Sequence, residues 1–189
     1  MKIKHIAIIL LSIIIVGLEI PSISAITVHA NSIDTIQTTN NLNEPVALSE
    51  DKINAIVNDV HSKHLDVSEE WIREVVYRQI NGDYSIPREK NAFRSAWQGI
   101  TVGQMGALLD TAISVALGGA TGGLAALIKV KGKHAVQSAI RSAISQYLGS
   151  WFVNSVALDF VMNLLSPGTY IAQLWDSRDA VPNNGRINF

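Results

Sequence analysis

Two long stretches of this chain carry almost no charge, and that constrains the fold more than any other feature. Between Ile100 and Ile128 the only ionisable residue is Asp110, and GQMGALLDTAISVALGGATGGLAAL is built from small and aliphatic side chains. After the basic break KVKGKH, with Lys129, Lys131, Lys133 and His134, the chain to Leu165 holds only Arg141 and Asp159 as charged residues. A surface helix keeps one polar face, whereas a helix that is apolar all round must be covered. The spacing predicts a hydrophobic helical hairpin over 99–166.

The isolated charges inside it are candidates for a site. A buried carboxylate must find partners or hold a proton. Asp110 and Asp159 are therefore expected as buried charges, with Arg141 as their natural partner. Two uses are open: a structural pair, or an acid-triggered switch in which protonation makes membrane entry cheaper. Gly118, Gly119, Gly122 and Gly123 also need a reason, since each costs about 1 kcal/mol relative to alanine within a helix. Either Gly118 with Gly122 and Gly119 with Gly123 form small-residue faces for close helix contact, or the segment is a turn. Trp151, Phe152 and Trp175 are either interfacial anchors or core. Lys129, Lys131 and Lys133 either meet anionic lipid or complement a helix end.

The flanking text is helical and amphipathic. Ser49 can cap a helix over about 50–63 with Ile53, Ile56, Val57 and Val60 on one face. Ser68 caps a second, with Trp71, Ile72, Val75, Val76 and Ile80 as its stripe and Gly82 beyond its end. A third is expected from around Pro87 through Phe93, Ala96, Trp97 and Ile100. His61 and His64, one turn apart with Asp59 and Asp66 nearby, are read either as a solvated helix end or as a weak metal site.

The first thirty residues have the three parts of an export signal: lysines in MKIKH, an apolar run from Ile6 to Leu18, and a more polar stretch ending in small residues. Cleavage is expected after Ala30, with Ala25 as the other site. Asn31 to Pro45 is Asn- and Thr-rich without period and is read as a flexible polar lead, so that residues 31–48 precede the helical domain. The chain has no cysteine, which removes disulfides and thiolate metal sites and fits export from a Gram-positive bacterium. With 15 basic against 16 acidic residues it lacks the basic excess of a nucleic-acid binder. Walker, dinucleotide, nucleophile-elbow and zinc-helix motifs are missing, and the Ser49 to Lys52 spacing of penicillin-recognising enzymes stands without its companion motifs. No catalytic residue, metal or cofactor is expected.

The order of these features, followed by SPGTYIAQLWDSRDAVPNNGRINF, resembles the large secreted bacteriocins of streptococci and related lactic acid bacteria, the dysgalacticin and streptococcin type. The resemblance covers roughly 99–189. Its distinctive words are Ser166-Pro167-Gly168-Thr169, Asp176-Ser177-Arg178-Asp179 and Pro182-Asn183-Asn184-Gly185. It implies a heat-labile antibacterial protein that acts at the membrane of related Gram-positive cells without lysing the wall. Its partners would be that membrane or a membrane-protein receptor, with a cognate immunity protein in the producer. Some of those proteins hold a helix-loop-helix by a disulfide, which a chain without cysteine must replace by packing. The expected fold is all-α, with amphipathic helices over 49–98 packed around the glycine-rich hydrophobic hairpin and a C-terminal helix and tail over 167–189. The tail from Asp176 is expected to be a turn-rich surface strap.

Overall fold

The computed structural model describes residues 47–88 and 99–189. The expected export signal, nearly all of the polar lead and most of the helix expected from Pro87 lie outside the described residues. Within them the fold is all-α, with eight helices and a single two-residue ribbon.

Helix α1 (Glu50–Lys63) buries Ile53, Ile56, Val57 and Val60, the four residues that its spacing put on one face. Glu50 and Asp51 in the first turn and Lys63 in the last complement the helix dipole. Ser49 has the extended backbone of an N-cap, but its side chain makes no capping bond. Helix α2 (Glu69–Ile80) is capped as expected, with Ser68 Oγ accepting from Trp71 N at 3.3 Å. It packs on α1, and across their outer edge Arg73 donates to Asn54 and Tyr77 to Glu50, each at 2.7 Å. Pro87 is buried, and its carbonyl accepts from Trp71 Nε1 at 3.3 Å.

Strand β1 (Ile100–Thr101) leads straight into α3 (Val102–Ala116). Thr101 and Gln104 form a reciprocal capping box with both bonds at 3.0 Å. Helix α3 is the centre of the fold. Met105, Leu108, Leu109 and Ile113 are all buried, and each such side chain contributes roughly 1.5–3 kcal/mol on leaving water. It packs against α1, α2, α5 (Lys133–Leu148) and, most extensively, α8 (Pro167–Asp176).

Between α3 and α4 (Leu124–Lys131), Gly118 to Gly123 is a turn. Gly118, Gly119 and Gly122 have φ of 72°, 78° and 103°, which only glycine adopts readily, so the turn reading of these residues holds and the close-contact reading does not. Close contact of helices through glycine occurs elsewhere, where α3 crosses α8. A Cβ on Gly168 would strike the Gly106 carbonyl oxygen, and one on Gly106 would lie 3.1 Å from Thr169 Cα. The single-turn helices α6 (Ser150–Val153) and α7 (Leu158–Val161) carry the chain from α5 to α8.

The tail departs from a pure surface strap. Strand β2 (Arg186–Ile187) pairs antiparallel with β1, Ile100 facing Ile187, and Ile187 is wholly buried. The turn before it is tied down by the buried Asp176, whose carboxylate accepts from Asn184 N at 3.1 Å and Gly185 N at 3.2 Å. One apolar residue beyond the turns thus anchors the strap in the core.

Candidate functional site

A polar clasp lies where the C-terminal end of α1, the middle of α3 and the first turn of α8 meet. His64 caps α1 and is 3% exposed, while Asp110 on α3 is 5% exposed. The Asp110 carboxylate accepts from His64 Nε2 at 2.9 Å, Ser166 Oγ at 2.6 Å and Gly168 N at 2.8 Å. Ser166 is the N-cap of α8 and Pro167 follows in its first turn, so the carboxylate also faces the positive end of that helix. Thr169 completes the group, its hydroxyl 2.7 Å from Ser166 Oγ. Because the serine's one proton goes to Asp110, the threonine donates.

Aspartate, histidine and serine in contact invite comparison with a hydrolytic relay, but the arrangement differs. A relay sets the imidazole between carboxylate and hydroxyl, one on each ring nitrogen. Here Ser166 Oγ lies 3.3 Å from the same Nε2 that meets Asp110, and it gives its proton to the carboxylate directly. The clasp is built to hold three helices together. A second polar contact joins α2, α3 and α5: Gln79 Nε2 donates to Tyr147 Oη at 2.9 Å and to the Leu108 carbonyl at 3.5 Å. Burial pushes the Tyr147 phenol well above its ordinary range, with the Gln79 bond opposing.

The charge cluster expected from the sequence does not form. Asp110 is buried, but Arg141 and Asp159 are exposed; Asp159 is 82% exposed and meets Lys133 Nζ at 3.1 Å. The reason is helical phase. Arg141 stands on the outward face of α5, next to Ile140 on the inward one, and Asp159 sits on a single turn of helix with Leu158 and Val161 taking the buried side. Arg141→Ala is expected to leave the unfolding free energy, read from urea titration, within about 0.5 kcal/mol of the parent. A loss above about 2 kcal/mol would restore Arg141 to the core.

The histidine pair is also separated. His61 Nδ1 lies 2.9 Å from the Val67 carbonyl and its Nε2 3.9 Å from Glu69, while His64 turns inward to Asp110. This replaces both the solvated helix end and the metal site for His64, and the described residues hold no metal-ligating group of three or more such side chains. A signal for the inward turn of His64 was present: it falls four residues after Val60 and continues the stripe of Ile53, Val57 and Val60. Ser166 followed by Pro167 also marks a helix start, so the burial of one partner and the capping place of the other were visible locally, though not their meeting with Asp110. Lys129 and Lys131 lie in the last turn of α4, where their charge complements the dipole, and Lys133 opens α5.

At the outer end of α8 lies an aromatic cleft of about 330 Å³. Trp175 is 8% exposed, and against it pack Phe152, Trp151 and Phe189, with ring centroids 4.8, 5.4 and 5.9 Å away. Phe152 and Trp175 are therefore core, but Trp151 is 66% and Phe189 71% exposed. Arg178, Asp179, Ala180 and Asn188 complete the lining. No protein-family model, curated protein or solved structure matches this chain.

Proposed function

We propose that this chain is a secreted antibacterial protein of a Gram-positive bacterium that acts, without enzymatic chemistry, at the membrane of related Gram-positive cells. The observation that carries the reading is the state of α3. A fifteen-residue helix whose one charged side chain is Asp110 is sheathed by the amphipathic α1 and α2 and by α5 and α8, and a compact polar clasp ties it to two of them. A protein that must cross water and then engage a membrane needs such a cover, and Asp110 is the one charged group the helix carries. The export signal and the resemblance of residues 99–189 support the same reading, which includes a membrane or membrane-protein target, a cognate immunity protein in the producer, and no nucleic acid or cofactor.

One observation favours a second reading, an exported helical binding module whose apolar helix stays buried. At 15 residues α3 is about 22 Å long, short of the roughly 30 Å hydrocarbon core, and no described helix is long and apolar enough to cross a membrane. Purified Asn31–Phe189 added to a panel of lactic acid bacteria loaded with a voltage-sensitive dye decides between them. Rapid collapse of the potential in some strains is expected. An unchanged potential and unaffected growth across the panel would leave the binding module.

A further inference from the structure

We propose that the cleft between Trp151 and Phe189 is a binding site for a neutral pyranose ring of an oligosaccharide. The exposed rings of Trp151 and Phe189 both line it and both pack on the buried Trp175, so a ligand entering it meets more than one aromatic ring. A pyranose offers such surface a matching face: its axial C–H groups are apolar, carry slight positive charge, and are drawn to the negative face of an indole. The cleft is at the small end of ligand sites, about the scale of one or two sugar rings.

The polar lining narrows the ligand class further. Among the described residues the Arg178 guanidinium has no hydrogen-bond or ion-pair partner, and neither has Trp151 Nε1. These are uncommitted donors. Asn188 Nδ2 is occupied by Asp179 Oδ2, Asn184 Oδ1 and the Arg186 carbonyl, which leaves its Oδ1 an uncommitted acceptor. Asp179 is oriented by Val181 N at 2.9 Å and Asn188 N at 2.8 Å, so both side chains are held in place before a ligand arrives. Hydroxyl groups donate and accept and can answer both kinds of partner. A phosphate ester offers mainly acceptors, and the Asp179 carboxylate in the same lining offsets the charge of Arg178. An ammonium only donates and would face the guanidinium. An acyl chain would leave every polar group of the lining unanswered, at the cost of its desolvation.

The assignment is independent of the antibacterial reading, because its test is made on the purified protein. Calorimetric titration with trisaccharides of glucose, galactose and N-acetylglucosamine is expected to give saturable binding for at least one, accompanied by a shift in tryptophan emission. Trp151→Ala and Arg178→Ala are each expected to weaken it at least tenfold, with the circular-dichroism melt unchanged in Arg178→Ala, whose side chain is exposed, and the fold retained in Trp151→Ala, which loses only ring contacts at the cleft. Co-sedimentation with purified Gram-positive wall glycan, competed by the same trisaccharide, would place the ring on the cell surface; binding to the free sugar alone would mark a soluble ligand. Either upholds the site. Absence of binding to all three sugars and to the glycan would overturn it. So would emission shifts that require phosphatidylglycerol vesicles and vanish in Trp151→Ala, which would make the cleft a membrane anchor.

Discussion

Gly168→Ala is expected to destabilise the protein by about 3 kcal/mol or more, and so to lower the thermal midpoint by roughly 6–12 °C at this chain length. A Cβ there would press on the Gly106 carbonyl oxygen and come within 2.9 Å of Asp110 Oδ1. Neither neighbour is the loose end of a side chain. The first is helix backbone, and the second is pinned by three hydrogen bonds, so relief requires α8 to move off α3. The matched control is Gly123→Ala, where φ is −66° and the added methyl would sit 3.5 Å from Leu165 Cδ2. That variant should stay within about 1 kcal/mol of the parent. Equal melting of the two variants would mean that the α3–α8 crossing is not closely packed.

Removing the clasp should have an effect of the same order. Asp110→Ala leaves the Gly168 amide and His64 Nε2 buried without their acceptor and is expected to cost about 3–5 kcal/mol, read from urea unfolding with an unchanged slope. Asp110→Asn should cost less, about 1–3 kcal/mol, because its Oδ1 can still accept from Gly168 N while its amide faces His64 and Ser166. Exchange of the Gly168 amide hydrogen should quicken in Asp110→Ala, since that proton loses its acceptor. If the alanine variant melted within 1 kcal/mol of the parent, the clasp would have no part in holding α8 to α3.

Periodicity and capping residues determined the local structure of this chain. The stripe from Ile53 to Val60, the Ser68 cap, the apolar run that became α3 and the start of a helix at Pro167 all depend on residues within a few positions of each other, and a 3.6-residue repeat is visible over such a span. Asp110 was recognisable as a buried charge because an apolar run flanks it on both sides, but the same ground marked Asp159, which falls on the outward side of a single helical turn and is 82% exposed. The partner of Asp110 was not recognisable, and Arg141 was the wrong choice. His64 lies 46 positions before Asp110 and Ser166 56 after it. Which of several polar residues meets a buried carboxylate depends on the rotational phase and crossing of three helices, and no local pattern records that. The glycines divide in the same way. Gly118 to Gly123 announce a turn by their clustering, whereas Gly106 and Gly168 matter only because two helices happen to cross there. Likewise the tail's turns are written in Pro182, Asn183, Asn184 and Gly185, but the burial of Ile187 required β1 to lie beside it. The sequence alone therefore determined where α1, α2, the apolar run of α3 and a C-terminal helix form and which faces of α1 and α2 are apolar, since these follow from neighbouring residues. Only the tertiary structure decided the polar clasp, the glycine crossing and the aromatic cleft, because each is assembled from side chains that are distant in the chain and meet only when the helices pack.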